Sequence, residues 1–176
     1  EVRAVQDLLA RGQAQAALER LLAREGSGNA AAGAAGTAGA ANLANGSASS
    51  IDAELRFLHG VALMDLQRNA EALAWFERMS QDHPELPDPY NNIALLHVRA
   101  GRLESARQAL ETALRNDPSF RLARANLGLV HLMLAVQAWD QVAASGPADP
   151  AFTRRLQSVR SLLAQAAASP AVPVVR

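Results

Sequence analysis

The feature that most constrains this chain is an internal register of 34 residues, which places Ala72 on Ala106, Pro84 on Pro118, Asn92 on Asn126 and His97 on His131. Gly60, Ala94 and Gly128 form a further series at the same spacing. A small residue therefore recurs where two helices would have to approach closely. Repeats of this length stack as supersecondary units, each burying a face that it could not bury alone. Composition agrees on helix. The 49% hydrophobic content is mostly Ala and Leu, with 4% aromatics, a balance that favours helix formers over strand formers.

Three repeats follow from the register. In 53–86, Gly60, Ala72, Phe76 and Pro84 stand at positions 8, 20, 24 and 32. In 87–120, Tyr90, Ile93, Ala94, Ala106, Leu110, Ala113 and Pro118 stand at positions 4, 7, 8, 20, 24, 27 and 32. These residues resemble the tetratricopeptide repeat family, with His59 and Met79 as departures at positions 7 and 27. A third, degenerate repeat over 121–148 opens with Leu127, Gly128 and His131 in register. It then slips, with Ala138 and Val142 standing in for the second-helix residues as if two residues had left the turn. At the start, Gly12, Ala17 and Leu21 match positions 15, 20 and 24, so 1–24 reads as a partial helical hairpin.

Local signals mark the ends of the helices. Asp88-Pro89 and Asp149-Pro150 each set a capping side chain before a proline, which tolerates the first helical turn. Gly12 and Gly101 fall where paired helices must turn. Over 149–168, Phe152, Leu156, Val159 and Leu163 form an apolar stripe with Arg154, Arg155 and Arg160 turned away. That pattern predicts an amphipathic helix capping the open end of the stack. The residues 169–176, with Pro170 and Pro173, are expected to be an extended tail. Between these elements, 25–50 is rich in Ala, Gly, Ser and Asn, too poor in large apolar residues to offset backbone entropy. It is expected to be a flexible insertion spanning roughly 25–30 Å. The resemblance thus implies an all-α helix-turn-helix solenoid over 51–168 with a C-terminal capping helix.

Several function classes are disfavoured. Lys plus Arg and Asp plus Glu number 17 each, so no net field gathers a polyanion, and nucleic acid is not an expected partner. There is no cysteine, hence neither thiolate chemistry nor a disulfide. The most apolar run, 127–139, is shorter than the roughly 20 residues a bilayer-spanning helix needs, so no transmembrane segment is expected. No nucleophile elbow, phosphate loop or His-Glu-x-x-His occurs, and no catalytic role or cofactor is expected. His97 and His131 share a repeat position, but neighbouring helices about 8–10 Å apart hold such residues too far apart for one metal. Trp75 and Trp139 precede core positions and read as partly buried scaffold residues.

The resemblance implies a protein or peptide partner held on the first helices of the repeats. Carried over by position, the surface comprises Phe57, Val61 and Met64 in the first repeat and Asn91, Asn92, Leu95, Val98 and Arg99 in the second. The third contributes Asn126, Leu129, Leu132 and Met133. Asn92 and Asn126 can either hold a peptide backbone or bond within the helix pair, since an amide both donates and accepts. Family members that grip a terminal carboxylate use cationic residues where this chain has Phe57, Val61, Asn92, Leu122 and Asn126, so that ligand class is disfavoured. The alternatives are a self-associating structural protein, in which a second copy covers the same surface, and a non-catalytic accessory subunit of an enzyme complex. The Ala/Arg/Leu texture also resembles bacterial envelope-type tetratricopeptide proteins and favours a periplasmic or cell-envelope setting over the cytoplasm. The chain opens on Glu1, as a mature or trimmed form would, with any signal peptide or lipid anchor already removed.

Overall fold

A computed structural model describes residues 1–32, 45–146 and 149–168. All of the regular structure among them is helical. The elements are α1 (Val2–Ala10), α2 (Ala14–Ala32), α3 (Asn45–Asp65), α4 (Asn69–Asp82), α5 (Pro87–Arg99), α6 (Leu103–Asn116), α7 (Arg121–Ala144) and α8 (Pro150–Ala168). They fall into two compact units, Glu1–Met79 and Ser80–Arg176.

In the N-terminal unit, α1 and α2 form a short hairpin turning at Gly12, whose φ is +71°. The turn closes when Gly12 N–H bonds to Leu9 O and Gln13 N–H to Leu8 O, both at 2.9 Å. Glycine suits this left-handed position because a Cβ would crowd the neighbouring carbonyl. The α3–α4 turn repeats the bond pattern with Gln67 N–H to Met64 O and Arg68 N–H to Leu63 O. Here the left-handed residue is Gln67, at φ +58°. The core gathers Val5, Leu9, Ala17, Leu18, Leu21, Leu58, Ala62, Ala72, Phe76 and Met79, all buried.

The insertion expected over 25–50 is shorter than its composition suggested. Helix α2 runs on to Ala32 and α3 begins at Asn45, and 33–44 lie outside the described residues, as does the tail 169–176. Extending a helix already anchored by packing requires no new nucleus, so these flanks continue where an isolated peptide of the same composition would not hold.

The C-terminal unit contains the second and third repeats. Helix α5 begins at Pro87 after Leu86, whose ψ of 125° is extended and whose side chain offers no cap. Asp88 therefore sits inside the first turn, where its charge favours the helix N-terminus, rather than capping it as the sequence suggested. Gly101, φ +72°, closes the α5–α6 turn through Gly101 N–H to Val98 O and Arg102 N–H to His97 O. Ala94, Ala106, Leu110, Ala113, Phe120, Ala123 and Val130 form the buried cluster between α5, α6 and α7. Asn116 Nδ2 donates to Pro84 O at 2.7 Å, tying the end of α6 to the loop that leads into α5.

The third repeat departs from the hairpin its opening residues imply. Arg121–Ala144 is one helix of 24 residues, with no turn before Ala138 and Val142, and Val142 is exposed. The reason stands at position 15: Gly12, Gln67 and Gly101 turn the chain there, whereas the equivalent residue is Ala135, the strongest helix former. Helix α8 packs against α7, with the Trp139 and Phe152 rings 5.8 Å apart, Leu156 buried, and Arg160 donating to Asp140 at 2.6 Å. Asp149 caps α8 as expected, its Oδ1 accepting from Ala151 N–H at 3.2 Å.

By length and composition alone, α7 is apolar enough to cross a membrane, and little of its apolar window is buried. The shorter run 127–139 did not suggest this, because the uninterrupted helix adds apolar residues at both ends. One such helix is weak ground for a membrane assignment, and α7 contributes Ala123 and Val130 to the buried cluster.

Candidate partner-binding surface

In the N-terminal unit the expected surface residues are largely withdrawn. Val61 and Met64 are 2% and 3% exposed, which corrects their assignment to a partner surface, since a buried methyl or thioether meets only its own scaffold. Phe57 is half-buried and its ring lies 5.7 Å from that of Phe76. Helices α1 and α2 each pack on α3. A period read along one chain does not reveal such covering.

In the C-terminal unit the asparagines divide. Asn126 Nδ2 donates to Asn91 Oδ1 at 2.8 Å, joining α7 to α5, and Asn91 is buried. This pair has the intramolecular role that was one of the two readings for Asn126. Asn92 is 1% exposed, and its Oδ1 has no hydrogen-bond partner among the described residues. Neither Asn91 nor Asn92 is open to a partner in this conformation, a second correction to the carried-over set.

What remains open is mostly apolar. Leu95 and Val98 on α5 are half-buried, Val98 packing against the core cluster, and Arg99 is exposed. On α7, Leu129 and Met133 are half-buried and Leu132 is exposed at 39%. Together with Val136, these make an i, i+3, i+4, i+7 stripe, one face of a helix. Val142 and Leu162 are exposed too. Their exposure was hidden in the sequence, because it follows from the missing second helix of the third repeat.

The charged groups form surface clusters. Arg107 bonds to Glu104 through Nη2 at 2.5 Å and to Glu111 through Nη1. Its guanidinium holds the Glu104 carboxyl below the usual range. Arg68 does the same to Glu71 with bonds of 2.8 and 2.6 Å. His97 Nδ1 accepts from Arg102 Nε at 3.0 Å, while His131 is exposed. Among the described residues no group of three or more His, Asp or Glu is placed to hold a metal.

Helix pairs with small residues at the crossing, turned by left-handed residues at a fixed position, now stand beside the sequence register. Residues 63–127 match the family model described as tetratricopeptide repeat. The segment is all-helical, consistent with a tetratricopeptide helix-turn-helix solenoid. No curated protein matches the chain. Among solved structures, the first TPR of Spaghetti (RPAP3) bound to HSP90 peptide SRMEEVD is similar at 19% identity. The alignment covers 64% of this chain and 95% of that one with a TM-score of 0.45, a likeness that by itself decides nothing about ligand. The tetratricopeptide match includes α4, α5 and α6 and ends at Leu127, within α7.

Proposed function

We propose that the chain is a protein-binding adaptor that holds a peptide or amphipathic helix of another protein against the first helices of its tetratricopeptide repeats. The observation that carries this reading is the partly exposed stripe Leu129, Leu132, Met133 and Val136 on α7. A helix face of that spacing is matched by an apolar face of equal spacing on a partner. The Asn126–Asn91 bond supports the reading by fixing α7 against α5, so that the stripe is presented on a rigid element and little ordering cost falls on binding. Leu95 and Arg99 on α5 belong to the same proposed surface. The setting proposed for this adaptor is assembly of a bacterial cell envelope, in the periplasm, which fractionation of the native host would test.

The deciding experiment compares the parent chain with Leu132→Glu in cross-linking from the native host. Leu132 is exposed, so helical content is expected to stay unchanged while one defined partner is lost. Retention of that partner by Leu132→Glu overturns the assignment. A second copy covering the stripe is the competing arrangement, and light scattering across a dilution series separates the two, since a stable dimer disrupted by Leu132→Glu replaces the adaptor with self-association.

A further inference from the structure

A recess lies in the N-terminal unit, on the side of α3 away from Phe57 and Val61. At about 100° per residue, His59 and Leu63 stand about 200° around the helix from Phe57 and Val61. There α2, α3 and α4 line an open recess of about 400 Å³, within the size range of sites that take a small apolar group. Leu18 and Leu22 of α2 and Leu63 of α3 line it. Leu22 is 50% exposed, a large apolar side chain that the fold itself leaves uncovered.

The recess is built on a fixed aromatic platform. Trp75 stacks on buried His59 with ring centroids 3.8 Å apart and planes 14° from parallel. Its indole Nε1–H donates to Arg56 O at 2.7 Å. A ring held by both stacking and a hydrogen bond loses little further freedom when a ligand arrives, so contact with it costs little ordering entropy. The charge around it is uneven. Arg68, Glu71, Trp75 and Arg78 follow one another at helical spacing and all line the recess. Glu71 is engaged by Arg68 through two hydrogen bonds. No carboxylate among the described residues is paired with Arg78, so one positive charge is left over beside an apolar wall.

We infer that this recess binds a peptide segment of a protein partner in which a Leu or Phe side chain stands next to an Asp or Glu carboxylate. The apolar side chain enters against Trp75, Leu22 and Leu63, and the carboxylate meets Arg78. The complementarity is of both kinds at once, which distinguishes this ligand from the wholly apolar face proposed for α7.

The test titrates the full chain with acetyl-Phe-Glu-amide while following its amide and indole resonances by NMR. The expected result is saturable movement of the Trp75 indole Nε1–H and of Leu63. Acetyl-Ala-Glu-amide should bind at least about tenfold more weakly, as expected for loss of one buried apolar side chain, and acetyl-Phe-Gln-amide about twofold to fivefold more weakly, as expected for loss of one exposed ionic contact. Arg78→Glu should weaken the first probe by a similar factor, and Ala74→Trp, which fills the recess, should remove the response. Both positions are exposed, and an unchanged amide spectrum away from α4 verifies the fold. If Ala74→Trp alters that spectrum, Arg78→Glu alone carries the comparison. Equal binding of the glutamine probe, an unweakened Arg78→Glu, or no movement at the solubility limit overturns the proposal. Tighter binding of hexanoate than of the peptide probe overturns the peptide assignment in favour of a free carboxylic acid.

Discussion

Gly60 and Phe76 meet so closely that a Cβ added to Gly60 would lie 2.4 Å from Phe76 Cζ, with two further ring atoms within 3 Å. Phe76 is fully buried, with its ring also packed against that of Phe57. Gly60→Ala is therefore expected to destabilise the N-terminal unit by about 1–3 kcal/mol, the usual cost of forcing extra volume into a packed core. Gly128 holds the same repeat position, yet nothing lies within 4 Å of its added Cβ. Gly128→Ala should stabilise by up to about 1 kcal/mol through helix propensity. Urea unfolding of the two variants checks both signs, and equal effects would contradict the packing difference.

Gln67 occupies the left-handed turn position that Gly12 and Gly101 fill elsewhere. Gln67→Gly should relieve the steric cost of a Cβ at positive φ, partly offset by the larger entropy of the unfolded glycine, for a net gain of up to about 1 kcal/mol. Thermal unfolding followed by circular dichroism reads this as a raised midpoint. A lowered midpoint would mean that the Gln67 side chain contributes more than its backbone costs.

Ala106 is completely buried in the cluster with Ala94, Leu110 and Val130. Ala106→Arg has no space for the side chain and no partner for the charge, so a loss of more than about 3 kcal/mol is expected. Loss of α5–α6 amide protection in hydrogen exchange would show it. Leu132→Glu, on the exposed face of α7, should leave the same amides protected.

Acid sensitivity follows from the arginine–glutamate clusters. Arg107 lowers the Glu104 carboxyl and Arg68 lowers that of Glu71 through hydrogen bonds first and charge second. Carboxyls with depressed folded-state values contribute stability above their unfolded values, and lose it as pH falls through the folded ones. The groups are solvent-exposed, so the effect is small and screened by salt. Arg107→Ala should flatten the acid limb of a plot of unfolding midpoint against pH. An unchanged acid limb at low ionic strength would show that the Arg107 pairs do not persist in solution.

Much of this architecture is legible in residue order because the repeat positions are chemically restrictive. A buried crossing accepts only Gly60 or Ala94, and the turn at Gly101 accepts few residues besides glycine, so each leaves a mark at fixed spacing. The third repeat was legible only as a loss of register. Its fate turned on Ala135, whose significance appears when Gly12, Gln67 and Gly101 are seen to share one backbone conformation. The partner surface was the least legible. Position along a helix does not say what covers it, and Val61, Met64, Asn91 and Asn92 are buried by neighbours that the period does not specify.

The sequence by itself determined the helical class, the 34-residue register, the two glycine turns and the cap at Asp149, because each depends on local backbone preference or on a spacing repeated along the chain. Tertiary structure alone decided that Gly60 is crowded while Gly128 is open. It also decided that Asn126 bonds to Asn91, that Trp75 stacks on His59 beside a recess, and that the stripe around Leu132 stays partly exposed. These properties belong to which helix lies against which, and long-range packing is set by the sum of many contacts rather than by any motif.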